Sequence, residues 1–161
     1  TMNNVMIGGW DPERKRYFTY YETIGGGMGA SQHQDGSSAV HSHMTNTLNT
    51  PIEALEYSYP LQVECYAVRY GSGGAGAHRG GDGIIREIKL LSEAQVTLLS
   101  ERRSTQPYGL AGGEPGLHGE NQLCHATQTL ELPAKGTFIA AAGDVLTICT
   151  PGGGGFGKTD G

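Results

Sequence analysis

LQVECYAVRYGSGGAGAHRGGDGIIREIKLL, residues 61–91, holds the pattern on which the fold turns. In its first third, Leu61, Val63, Cys65 and Ala67 recur with a period of two, which places them on one face of a β-strand. The middle third, GSGGAGAHRGGDG, is dominated by glycine and supports neither helix nor strand. The last third, GIIREIKLL, is short and β-branched like a strand, although Ile84, Ile88 and Leu91 would also line a helical face. The unit is therefore a strand, a glycine-rich connector and a second element that reads as strand or helix.

The same alternation extends outward. RYFTYYET (16–23) is aromatic and β-branched, and AQVTLLSE (94–101), TQTLEL (127–132) and DVLTICT (144–150) are short apolar stretches bounded by turn residues. Only TPIEALE (50–56) reads as helix, with Pro51 in a first turn and Glu53 at capping-box distance from Thr50. Glycine gathers in four clusters, 25–29, 71–83, 109–119 and 152–157. Ordering glycine costs backbone entropy, so ordered clusters imply close backbone approach or positive φ. Small residues let extended segments lie side by side. The predicted fold is mainly β, with mixed or antiparallel sheets and glycine-rich, polyproline-II-like connecting segments. Flexible linkers are the competing reading of the same glycines.

A length of 161 residues fits a single domain, 1–161. Hydrophobic residues make up 37% of the chain and no apolar run reaches the roughly 18 residues a membrane helix needs, so no membrane partner is expected. With 11 Lys and Arg against 16 Asp and Glu, net −5, the chain lacks the basic footprint that phosphate backbones select, and no nucleic-acid partner is expected. Cys65, Cys124 and Cys149 are odd in number and widely spaced, which favours neither a disulfide framework nor structural zinc. A reducing, cytoplasmic compartment without an attached secretory signal is expected. Thr1 ahead of Met2 suggests processing, excision from a longer chain or loss of an upstream segment; the N-terminal nucleophile chemistry open to a terminal threonine is disfavoured against these.

Two nucleotide motifs match in letters and fail in context. Residues 71–76 fit G-x-G-x-x-G, but 77–83 carry three more glycines where a helix should open. Residues 152–159 fit G-x-x-x-x-G-K-[ST], but only Asp160 and Gly161 follow, with no room for the phosphate-binding helix. His41 and His43, two apart, would share one strand face as a metal pair, yet no third ligand is evident beyond Asp35 and Glu53. His118 and His125 have weaker claims. His78, Arg79 and Asp82 sit in the densest glycine cluster, either as an anion clamp oriented by the carboxylate or as a structural tie between segments. YGLAGGEPG (108–116), with Glu114, reads as an interface turn or a substrate contact.

Taken in order, TMNN, GGGMGA, DGSSAVHSHMTNT, TPIEALEYSYPLQVECY, SGGAGAHRGGDGIIREI, LLSERR, PYGLAGGEPG and AAGDVLTICTPGGGGFG resemble the C-terminal part of the hydantoinase B/5-oxoprolinase family. The resemblance runs from Thr1 to Gly157 and is most specific in SGGAGAHRGGDG and TPGGGGFG. It implies a piece of an ATP-dependent hydrolase of cyclic amides such as hydantoins or 5-oxoproline, inactive alone. A ketone-carboxylase subunit of the acetone or acetophenone type and a non-catalytic scaffold are the alternatives. It implies as partners a hydantoinase A-type ATPase subunit carrying ATP and Mg, the N-terminal portion of the B subunit carrying a divalent metal, and a small-molecule substrate. Family members are several hundred residues long and usually run past the glycine motif, so no metal ligand and no catalytic residue carries over. His43 and Asn46 of HMTN, with Arg79 and Asp82 of RGGDG, are expected to line or brace the substrate site.

Overall fold

Period-two patterning produces nine strands and one short helix among the residues that the computed structural model describes, 2–42 and 45–159. One sheet has the order β2-β1-β5-β8, built from Asn3–Asp11 (β1), Arg16–Thr23 (β2), Ala94–Ser100 (β5) and Lys135–Ala140 (β8). The other has the order β3-β4-β9-β6-β7, from Leu61–Arg69 (β3), Gly83–Leu90 (β4), Glu120–His125 (β6), Gln128–Glu131 (β7) and Val145–Cys149 (β9). Every pairing between these strands is antiparallel. Val5, Ile7, Phe18, Val96 and Leu98 of the first sheet join Leu61, Ile84, Ile88, Leu146 and Ile148 of the second in one buried cluster. Each sheet thus hides one apolar face against the other.

The ambiguous run 83–91 is a strand, since both edges of β4 are paired, to β3 and β9. Strand β3 departs from the expected face. Its register slips between Val63 and Cys65, so Tyr66 stands opposite Arg86 and Val68 opposite Ile84. One extra residue in a strand exchanges its faces. Leu61 and Val63 point inward before the bulge; after it Tyr66 and Val68, rather than Cys65 and Ala67, share the face of Arg86 and Ile84, with Tyr66 at the rim and exposed. Ala67 is accordingly exposed.

The helix, Ile52–Ser58 (α1), starts two residues later than expected. Pro51 is its N-cap and no side chain caps it, so the Thr50 and Glu53 capping box does not form. Leu55 is the side chain it buries. Three strands escaped the sequence reading: β1, interrupted by Gly8 and Gly9; β6, largely polar; and β8, short and glycine-containing.

Antiparallel register dictates where the glycine clusters emerge. Arg69 pairs with Gly83, Ile85 and Glu120 with Cys149, and Asn4 with Thr23, while Asn3 pairs with Ser100. The ends of β2, β3, β5 and β9 and the starts of β4 and β6 therefore lie at one end of the two sheets. All four clusters leave from that end. Arg103 closes it across the sheets, donating to Asn3 Oδ1 at 2.9 Å and to Asn121 Oδ1 at 3.0 Å.

Candidate functional site

The residues after β9 form the hub of the glycine-rich end. Gly152, Gly153, Gly155, Phe156 and Gly157 donate their amides to the carbonyls of Leu117, Gly81, Glu114, His78 and Leu110, so all three neighbouring clusters or their flanks bond to it. Its carbonyls accept in turn: Pro151 from Gly27, Gly153 from Gly74, Gly154 from Ala30 and Gly155 from Leu110. Residues 151–155 are buried as a result.

Two positions show why glycine is required. A Cβ on Gly152 would overlap the Ser72 carbonyl, and one on Gly155 the Ala75 carbonyl. Those contacts step by three residues along both segments, the repeat of a polyproline-II turn. Segments this close leave no room for a side chain between them.

The same bonds occupy several amides of both nucleotide-like motifs. Gly73 and Gly74 donate to Asp82 Oδ1 and the Gly153 carbonyl, and Gly152, Gly153 and Gly155 donate within the bundle. A phosphate cradle needs such amides free. Within the described residues no group of three or more His, Cys, Asp or Glu is placed to hold a metal ion.

Arg79 and Asp82 come together on the connector between β3 and β4. The guanidinium donates to Asp82 through both terminal nitrogens, at 2.8 and 3.2 Å, and Asp82 Oδ1 also accepts the Gly73 amide at 2.8 Å. The Asp82 amide donates to Ser38 Oγ at 2.8 Å. Ser72 accepts the Gly83 amide at 2.8 Å and donates to the Arg69 carbonyl at 2.7 Å. Burial pushes the Asp82 carboxyl up, but Arg79 and the Gly73 and Ser72 amides outweigh it and hold the pKa below the ordinary range. This geometry matches the tie between segments: one carboxylate joins its own loop, the 72–73 turn and, through its amide, the 36–39 segment. Asp35 extends it, accepting the Arg79 amide at 2.9 Å with His78 Nδ1 at 3.3 Å. In the sequence Asp35 offers only a candidate metal ligand, and Ser38 and Ser72 carry no signal beyond their place beside glycine.

The other expected residues are dispersed. Asn46 is exposed, and among the described residues no hydrogen bond or ion pair joins it to Arg79 or Asp82. His43 lies outside the described residues. His41 Nδ1 meets Thr45 Oγ1 at 2.9 Å. His125 pairs through Nδ1 with the buried Asp144 at 2.6 Å, at the opposite end of β9 from the glycine bundle. His118 Nδ1 lies 3.0 Å from the Gly119 carbonyl. Glu114 bonds through its backbone, donating to the Ala75 carbonyl and accepting from the Gly155 amide, so it ties its turn to the glycine bundle.

A groove of about 280 Å³ opens beside the hub, between the 27–30 and 152–155 segments, with Ser42, Arg102 and Tyr108 on its walls. The Arg102 guanidinium lies over the Tyr108 ring, 5.8 Å from its centroid. Arg102 sits in the left-handed region, φ 56°. Its place in LLSERR gave no sign of this role.

The hydantoinase B/oxoprolinase family model matches residues 1–159. A 5-oxoprolinase of Dictyostelium discoideum is 45% identical over 160 residues, 99% of this chain and 12% of that protein. The chain thus spans about an eighth of the length of that curated relative. Among solved structures, the ATP-dependent caprolactamase from Pseudomonas jessenii superposes with a TM-score of 0.74 at 27% identity, over 96% of this chain and 28% of that one. Nucleotide-free acetone carboxylase superposes with a TM-score of 0.69 at 18% identity, over 96% of this chain and 25% of that one.

Proposed function

The chain belongs to the hydantoinase B/oxoprolinase family, and on that premise we propose that it forms the C-terminal portion of a B-type subunit in an ATP-dependent cyclic-amide hydrolase. One observation carries the reading: 45% identity to a 5-oxoprolinase across 99% of the chain. The likeness to a caprolactamase described as ATP-dependent supports the same reaction class, the opening of a ring C–N bond by water. A ketone-carboxylase role is the second reading. It rests on the acetone carboxylase likeness, which at 18% identity speaks for the fold alone.

The chain works as part of an assembly. ATP and Mg belong on an A-type ATPase partner, and a divalent metal on the N-terminal portion of the B subunit. The glycine bundle is the frame here: Arg79 and Asp82 brace the connector, and His43 and Asn46 line or brace the substrate site. The location is the cytoplasm. No described helix is long and apolar enough to cross a membrane.

The outer face of the first sheet supports an assembled state. Met6, Trp10, Tyr17, Tyr21, Leu99 and Ile139 lie on its solvent side, all more than 40% exposed, with Trp10 opposite Tyr17 and Met6 opposite Tyr21. An apolar face of this kind marks an interaction surface. Its occupant is the remainder of the B-type polypeptide, because this chain accounts for only 12% of its fused relative.

Native mass spectrometry of the protein purified from its source tests the assembly, followed by ATP-dependent turnover of 5-oxoproline, hydantoin and caprolactam. Co-migration with larger chains, and ADP released in step with ring-opened product, is the expected result. A lone 17.0 kDa species would overturn the assembly. ATP-dependent carboxylation of acetone without amide hydrolysis would transfer the reading to the carboxylases.

A further inference from the structure

We propose that the groove beside the glycine hub binds a small oxyanion, a carboxylate or phosphate group, on the amides of Gly154 and Gly29 and the guanidinium of Arg102. The proposal deepens the hydrolase reading and rests on it for the identity of the ligand. Around the hub, the amides on either side of Gly154 are all engaged, whereas Gly154 is buried and its amide has no hydrogen-bond partner among the described residues. A buried amide without a partner is rare and calls for an acceptor. Gly29 lines the same groove; it is exposed, and its amide, without a partner among the described residues, is a second donor open to a ligand from solvent.

The walls favour an anion. Among the described residues their polar side chains are Ser42, Arg102 and Tyr108, and none of the described lining residues is a carboxylate although the chain is net −5. Arg102 is held in place by the Tyr108 ring and a 3.4 Å bond to the Gln106 carbonyl, which leaves most of its donors unused. Backbone amides and a guanidinium that line one groove supply the donors of an oxyanion site. A cyclic-amide substrate can bring such a group in two ways: a carboxylate of its own, or a phosphoryl group transferred from ATP.

The test follows the Gly29 and Gly154 amide resonances of the isotope-labelled chain at constant ionic strength. Sodium phosphate and sodium acetate are titrated separately, against sodium chloride. Saturable shifts centred on both glycines with phosphate alone point to a phosphoryl group; with acetate alone, to a substrate carboxylate; with both, to a general oxyanion site. Each supports the proposal. Arg102→Gln should weaken binding about tenfold or more, the order of one charge-assisted hydrogen bond. Tyr108→Leu, which removes only the stacking wall, should weaken it less, and the remote Lys89→Gln should leave it unchanged. Should Arg102→Gln disturb the fold, visible as loss of amide dispersion, Ser42→Ala provides the second variant and should weaken binding two- to fivefold, by order of magnitude. No saturable shift, or binding indifferent to Arg102 and Ser42 in folded variants, overturns the site. That result leaves the hydrolase reading intact, since amide turnover by the assembly is measured independently.

Discussion

Glu22 of β2 and Arg86 of β4 form an ion pair across the interior of the two sheets, 3.2 Å apart, with side-chain exposures of 2% and 0%. The pair is embedded in polar and aromatic contacts. Asn49 donates to Glu22 at 2.7 Å, Tyr66 donates to Asn49 at 3.0 Å, and the Tyr66 ring lies 4.5 Å from the guanidinium. The Tyr66 contact exists because the β3 bulge places that residue, still 40% exposed, on the same face as Arg86.

Breaking the pair on one side should therefore be costly. Arg86→Met leaves a buried carboxylate without its counter-charge and is expected to lower unfolding free energy by about 3–5 kcal/mol. Adding Glu22→Gln should recover a substantial part of the loss. Urea unfolding of both singles and the double variant measures the coupling. Additive losses would show that the two charges do not interact.

Tyr20 predicts the alkaline limb of stability. Burial, then the Glu22 charge, raises its pKa to about 12. The folded chain therefore holds this proton more tightly than the unfolded chain, whose phenol titrates near 10. Nothing is lost below about pH 10, and stability falls as pH rises from there to 12, by about 1.4 kcal/mol per unit. Tyr20→Phe should flatten that limb. It should cost no more than about 0.5–1.5 kcal/mol at pH 7, because the buried hydroxyl has no well-formed hydrogen bond among the described residues and only weak contacts with Thr50 and Arg86. Urea midpoints between pH 8 and 11.5 decide it.

Asp82 governs the acid side in the opposite sense. Its pKa is depressed, with burial opposed and outweighed by Arg79 and the Gly73 amide. Its contribution is complete above the unfolded carboxyl value, near 3.9, and disappears as pH falls through the lower folded value. Asp82→Asn should destabilise at pH 7, and the gap to the parent should narrow below about pH 4. A gap constant from pH 7 to pH 2.5 would mean that charge is irrelevant to the tie.

How far the sequence revealed this architecture depends on whether local pattern or tertiary contact decided each residue. The aromatic run 16–23 matches β2 residue for residue, because one edge of alternating side chains needs no outside information. Asn3–Asp11 was hidden: Gly8 and Gly9 lower strand propensity, and Gly9 is needed because its partner backbone at Glu93 lies close. The β3 bulge, the burial of Arg86 and the left-handed Arg102 have no local signature, since each is set by what lies opposite. The glycine clusters announced close packing, and their four separate positions became one bundle only through strand register. The Arg79 and Asp82 pair was legible from its place in the densest glycine cluster, with anion clamp and structural tie both open. The groove with Arg102 was not.

Gly155 and Gly29 make the bundle testable by contrast. A Cβ on Gly155 would overlap the Ala75 carbonyl, whereas one on Gly29 would sit 3.8 Å from its nearest neighbour, the Gly154 carbonyl. Gly155→Ala should abolish or severely reduce cooperative unfolding. Gly29→Ala should be neutral or slightly stabilising, by about 0.4–1 kcal/mol from the stiffer unfolded chain. Equal effects in thermal unfolding would contradict a bundle packed on Gly155.

The single tryptophan gives the assembly its own reporter. Trp10 is 46% exposed, edge-on to Tyr17 at 5.0 Å on the outer face of the first sheet. In the isolated chain its emission should be solvent-like and strongly quenched by acrylamide. If the rest of the B-type polypeptide covers that face, assembly should shift the emission to the blue and suppress quenching several-fold, an order-of-magnitude expectation for loss of solvent contact. Partner chains lacking tryptophan keep the signal specific. Tyr17→Lys leaves the core side of β2 untouched, because Tyr17 is 82% exposed, yet places a charge in the apolar contact. It should weaken assembly while leaving unfolding of the isolated chain within about 0.5 kcal/mol of the parent. An unchanged emission spectrum on assembly would locate the contact elsewhere and leave the exposed face without a partner.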